Sequence, residues 1–83
     1  MANLFIPLKK EWYKEFENGT KTIEYRKHGP RWNERTCTIG RRAIISNGYG
    51  KQNRLEGTVK DFWVDNNTAC IEIEGIRPWD ETL

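Results

Sequence analysis

Three charged side chains, Lys21, Glu24 and Arg26, fall within six residues in the run Asn18-Gly19-Thr20-Lys21-Thr22-Ile23-Glu24-Tyr25-Arg26. A lysine ammonium holds an anion, a carboxylate serves as general base or as acceptor for a base edge, and a guanidinium pairs with a carboxylate or a phosphate. Laid on a strand, Thr22, Glu24 and Arg26 share one face while Lys21, Ile23 and Tyr25 share the other. The spacing therefore predicts a Glu24–Arg26 ion pair on a polar cleft floor, with Thr22 beside it. Structural uses compete with this reading. The pair suits a brace that closes the fold, and a lysine just after a helix end suits the negative pole of the helix dipole.

A second candidate cluster is the turn Ser46-Asn47-Gly48-Tyr49-Gly50-Lys51, followed by Arg54. Successive backbone N–H groups in a glycine-rich turn can form an anion nest, Lys51 and Arg54 add positive charge, and Tyr49 offers a stacking face. The turn has no P-loop spacing, and a glycine-rich hairpin turn with an exposed tyrosine is also ordinary structure. Trp32, set among Pro30, Arg31, Asn33 and Arg35, is the best candidate among the tryptophans for an exposed stacking platform, with core packing under the loop as its alternative, whereas Trp12 and Trp63 are expected in the core. His28 is a lone histidine in a basic loop and reads as solvated. Cys37 and Cys70 lie 33 residues apart without a Cys-x-x-Cys pair, so there is no zinc-ligand spacing. No metal or other cofactor is expected, and both thiols read as small, buried and reduced, in keeping with a cytoplasmic protein.

The elements that must position these residues are few. Eighty-three residues make one domain with a small core, and a mean hydropathy of -0.87 is offset by four Trp, three Tyr and three Phe. No apolar run approaches the ~18 residues of a membrane span, and the short Leu4-Phe5-Ile6-Pro7-Leu8 stretch precedes Lys9-Lys10 instead of following a basic region. Charge is segregated along the chain. Arg26 to Lys60 holds nine basic residues against two acids, whereas from Asp61 onward six acids face Arg77 alone. A fold that shows the middle segment on one side gains a positive face suited to phosphates, opposite an acidic one. Interleaved strands would instead mix the charges.

Asn3 to Ile6 reads as a first strand and Pro7 as a helix-start residue. Leu8, Trp12 and Phe16 then form an apolar stripe on a helix that ends at Asn18-Gly19. A strand follows over Lys21 to Arg26, then a loop from Lys27 to Asn33 with at most a helical turn near Arg31 to Arg35. Ala43-Ile44-Ile45 forms a strand core. Leu55 to Val64 and Cys70 to Glu74 alternate around the turn Asp65-Asn66-Asn67-Thr68 and predict an antiparallel hairpin. The result is an α+β fold, a small and mostly antiparallel barrel of about five strands with one helix across an opening.

Ile6-Pro7, the amphipathic helix, the block Gly19-x-Lys21-Thr22-x-Glu24-x-Arg26, the middle strand and the hairpin together resemble the ASCH domain family, whose fold is a PUA-like barrel. The resemblance spans nearly the whole chain, 1–83, as a single domain, and its specific part is the Gly-x-Lys-Thr-x-x-x-Arg block. It implies a cleft floored by that block and a tendency to bind RNA or modified bases. Some members are enzymes. The acetylcytidine amidohydrolase branch is similar at Lys21 but carries Thr where this sequence has Glu24, and uses an acidic residue in a longer helical insertion that Asp65 to Thr68 does not provide. That departure argues against amide hydrolysis.

Two functions from different classes remain open. The first is a binding module that holds single-stranded RNA or a modified nucleotide, using Lys21, Thr22, Glu24, Arg26 and the Ser46 to Arg54 turn, with Trp32 and Tyr49 for stacking. The second is a small metal-independent ribonuclease or nucleoside hydrolase in the same cleft, with Glu24 as base and Lys21 as electrostatic stabiliser. A protein-interaction domain whose positive face meets an acidic partner is the plainest alternative.

Overall fold

The computed structural model describes residues 2–50 and 52–79. It contains β1 (Leu4–Leu8), α1 (Lys10–Asn18), β2 (Ile23–Lys27), β3 (Arg42–Asn47), β4 (Arg54–Asp65) and β5 (Thr68–Pro78). The strands make one mixed sheet in the order β1-β3-β4-β5-β2. β1 and β3 run parallel, and the other three pairings are antiparallel. The predicted hairpin is present. Asp65 pairs with Thr68 across Asn66-Asn67, whose φ values of 50° and 67° are those a two-residue type I′ turn needs.

Two bulges curl this sheet into a half-barrel. Between the pairs Glu56–Arg77 and Thr58–Glu74, β5 carries one extra residue, and Gly75 takes the left-handed conformation at φ 64°. Between Val59–Ile73 and Asp61–Glu72 the extra residue lies on β4. An unpaired residue on one strand bends it and raises its twist, so the long hairpin serves β3 with its first half and β2 with its second. Gly57 sits where the strands crowd: a Cβ there would lie 2.5 Å from Ile73 Cγ2 and 2.9 Å from the Glu74 carbonyl oxygen. The edge strands β1 and β2 share no ladder, so the barrel expected from the sequence is open along one seam.

The concave side holds the core. Ile6, Ile45, Leu55, Val59, Ile71 and Ile73 meet Tyr13 and Phe16 from α1, and Trp32 and Cys37 from the loop between β2 and β3. Each such large apolar side chain contributes roughly 1.5–3 kcal/mol by leaving water.

Several element boundaries differ from the sequence reading, among them the last strand, which runs from Thr68 to Pro78 instead of Cys70 to Glu74. Pro7 stays in β1, paired in register with Ser46, because an edge strand tolerates a residue with no N–H. The helix therefore starts at Lys10, after Lys9, which makes no side-chain cap. Leu8 now belongs to the strand, and Tyr13 and Phe16 face inward, leaving Trp12 46% exposed. Trp63, also expected in the core, is 38% exposed because its position in β4 faces the convex side. At its other end α1 stops as expected, at Gly19 with φ 81°, and the N–H groups of Thr20 and Lys21 both donate to the Glu15 carbonyl. β2 then begins at Ile23, two residues later than predicted. No helix among the described residues is long and apolar enough to cross a membrane.

Candidate functional site

The open seam between the two edge strands is where the predicted charges meet. On β2, Glu24 and Arg26 project to the concave side, and Arg26 Nε donates to Glu24 Oε2 at 2.6 Å, the ion pair the spacing predicts. Arg26 Nη2 also donates to the Pro7 carbonyl of β1 at 2.5 Å, so one side chain ties together strands that no ladder joins. Glu24 is 7% exposed. A carboxylate this buried needs its partners, since an unpaired charge away from water is expensive.

Lys21 supplies the second partner, in a way the sequence reading did not anticipate. It precedes β2, so strand alternation does not hold it on the face opposite Glu24. Its Nζ reaches Glu24 Oε1 at 3.7 Å and lies 5.0 Å from the Tyr25 ring centroid and 5.6 Å from those of Trp12 and Phe16. The ammonium is thus enclosed by three aromatic faces and a carboxylate, an arrangement that stabilises a cation. The Lys21 backbone caps the helix by donating to the Glu15 carbonyl, while its ammonium goes to Glu24 and the three rings.

Two depressions flank the ion pair. One, of about 400 Å³, is lined by Trp12, Lys21, Glu24 and Tyr25. The other, of about 580 Å³, brings Arg26, Asn47 and Tyr49 together with Lys9, Lys10 and Glu11. Tyr49 is 76% exposed and its ring lies 6.1 Å from that of Phe5. Lys9 and Lys10 were not among the sequence candidates. Their signal was a pair of lysines at a helix start, where the helix dipole disfavours cations.

Other candidates stand elsewhere. Thr22 lines a separate depression with Lys60 and Glu72, and its carbonyl accepts from the Ile73 N–H. Ser46 is fully buried, and its hydroxyl donates to the Gly50 carbonyl. Arg54 Nε donates to the same carbonyl, and its guanidinium lies between Phe5 and Trp79, 5.1 and 5.2 Å from their ring centroids. Lys51 lies outside the described residues. Trp32 as an exposed platform is a correction: it is 8% exposed and takes the alternative, core packing under the loop. Asn33 folds its loop inward by accepting from the Arg35 and Thr36 N–H groups and donating to the Gly29 and Pro30 carbonyls. The Arg26 and Arg31 guanidiniums then lie 4.6 and 5.6 Å from the Trp32 ring centroid.

Much of the basic middle segment is engaged inside the fold. Arg41 donates to the carbonyls of Ala2, Asn3 and Thr36. Arg42 and Arg77 both grip Glu56, which is 5% exposed, so one of the two acids of the basic middle segment is held between two cations. The Arg42 hydrogen bond holds the Glu56 carboxyl below its ordinary range, opposed by burial and assisted by Arg77. Cys37 and Cys70 are free and buried, and burial pushes both thiols up, so neither is a ready nucleophile. Among the described residues no group of three or more His, Cys, Asp or Glu is placed to hold a metal ion.

Neither a scan against protein-family models nor a search of curated proteins returns a match for this chain.

Proposed function

We propose that this domain binds single-stranded RNA or a nucleotide along its open seam, as a PUA-like fold of the kind the ASCH resemblance implies. The observation that carries the reading is the position of the Glu24–Arg26 pair between two depressions, one walled by aromatic rings and one by cations. Phosphates suit the Lys9, Lys10 and Arg26 side. Tyr49, largely exposed on the rim of that groove, suits a stacked base. On the other side, Trp12 and Tyr25 offer further faces, with the Glu24 carboxylate as acceptor and the Lys21 ammonium as donor.

Cleavage is the less favoured use of the same groups. Both Glu24 oxygens already serve a cation, Oε2 with Arg26 and Oε1 with Lys21, and a general base must give up such a contact to take a proton.

Fluorescence anisotropy of labelled single-stranded RNA, at low and physiological salt, tests the reading, with each sample then run on a denaturing gel. Wild type should bind in a salt-sensitive manner, with RNA intact. A Lys9→Ala/Lys10→Ala variant should bind more weakly with a shallower salt slope, by roughly one counterion per phosphate contact removed. Shortened RNA that Glu24→Gln no longer produces would replace binding by catalysis. No binding at low salt would refute both.

A further inference from the structure

We propose that the convex face of β2, β5 and β4 docks a basic, arginine-bearing peptide segment of a partner protein. The proposal shares Tyr25 with the nucleotide reading, but the cationic groove of that reading, at Lys9, Lys10 and Arg26, does not include this face, so Lys9→Ala/Lys10→Ala tests the one without touching the other. Residues directly opposed in antiparallel strands point to one side. The register therefore stacks three rows on the convex face: Ile23–Glu72–Asp61, Tyr25–Cys70–Trp63 and Lys27–Thr68–Asp65. The intervening rows, which include Glu24–Ile71 and Arg26–Ala69, face the core.

The middle row presents two aromatic rings to solvent. Tyr25 is 54% and Trp63 38% exposed, on strands two spacings and thus roughly 10 Å apart. Cys70 between them is 3% exposed although it faces away from the core, so its flanking neighbours cover it. Exposed apolar surface on a sheet marks a contact site when it is contiguous, and these two rings flank one covered thiol in a single row.

Charge selects the occupant. Asp61 and Glu72 border the rings on one side and Asp65 on the other, with Lys27 the one cation in these rows, on a chain whose net charge is +2. A nucleic acid is repelled here. Arginine fits both features, because its planar guanidinium stacks on an aromatic face while its N–H fork pairs with a carboxylate. Docking is on the face and not by strand addition at the free edge of β4. β3 pairs with β4 only from Arg54 to Thr58, and farther on Asp61 Oδ1 accepts the Phe62 N–H at 2.8 Å, blunting the edge.

The test is anisotropy of a short labelled peptide of alternating arginine and glycine, beside lysine–glycine and glutamate–glycine peptides of the same length. The arginine peptide should bind best, the lysine peptide several-fold more weakly, and the glutamate peptide not at all. Loss of each exposed stacking contact corresponds to about two- to fivefold in affinity, so Tyr25→Ala/Trp63→Ala should weaken binding about tenfold. Asp61→Asn/Glu72→Gln keeps the shapes and should weaken binding and flatten its salt dependence, which holds the proposal to account if the alanine pair does not fold. Equal binding by wild type and Asp61→Asn/Glu72→Gln would overturn it. So would a concentration-dependent dimer in sedimentation velocity that Trp63→Ala abolishes, since the face would then belong to a second copy.

Discussion

Arg26 is the side chain on which the open seam depends, and replacing it with methionine measures how much. The variant loses the 2.6 Å bond to Glu24 and the 2.5 Å bond to the Pro7 carbonyl, and the guanidinium 4.6 Å from the Trp32 ring centroid. Hydrogen bonds with an ionised partner contribute about 1.5–3 kcal/mol each, and the ring contact about 0.5–1 kcal/mol. Three features reduce the simple sum. The Arg26 side chain is 23% exposed, methionine keeps the stem packed on Trp32, and Lys21 remains 3.7 Å from Glu24 to compensate its charge. A net loss of about 3 kcal/mol follows, which for a domain of this size lowers the thermal midpoint by about 12–24 °C. Urea unfolding of wild type, Glu24→Gln, Arg26→Met and the double variant completes a cycle, with an expected coupling of about 1.5 kcal/mol or more. A coupling within about 0.3 kcal/mol of zero, or a midpoint shift under about 4 °C, would refute the seam as a stabilising element.

Two further outcomes follow from the packing. Gly57→Ala drives a methyl to within 2.5 Å of Ile73 and 2.9 Å of the Glu74 carbonyl, and should destabilise by about 1–3 kcal/mol in urea; Gly29→Ala, with open space around it, should not, and equal stability of the two variants would sink the crowding argument. Glu56, held below its ordinary 4.5, contributes stability that is fully present above that pH and is lost as pH falls through the lower folded value. The gap in thermal midpoint between wild type and Glu56→Gln should therefore narrow on acidification from neutral pH toward pH 3, and a constant gap would contradict the Arg42 and Arg77 assignment.

Local signals carried the parts of the fold they could reach. The hairpin was legible because Asn66-Asn67 is turn chemistry between two alternating runs, and the helix end because Gly19 takes a conformation that disfavours other residues. The Glu24–Arg26 contact follows from a period of two. What escaped depended on partners distant in sequence. Pro7 looks like a helix start until β3 is seen to hold it in an edge strand. Trp32 looks exposed because its neighbours are Arg, Pro and Asn, yet Asn33 folds the loop so that the ring enters the core. Trp63 sits in an alternating run whose register decides its face, and the bulge at Lys60 shifts that register by one residue. Lys21 was set opposite Glu24 by carrying strand alternation two residues too far.

The sequence alone sets a structural brace against a ligand site at Glu24 and Arg26, and the geometry lets one side chain serve both. Arg26 lines the groove beside Asn47 and Tyr49 while its Nε and Nη2 are anchored to Glu24 and Pro7. A guanidinium already fixed in place loses little freedom when an anion arrives, which favours binding. The same Glu24 carboxylate lies 2.6 Å from it and offsets part of its charge, which opposes binding. The two effects separate in Glu24→Gln, where the anchor weakens and the competing charge disappears. Stability must fall whichever role Arg26 has, so stability cannot distinguish them. RNA affinity can: a change in the affinity of the folded Glu24→Gln protein, upward where the competing charge dominates and downward where the anchor does, is what a phosphate contact at Arg26 implies, whereas a pure brace leaves affinity to follow the loss of folded protein.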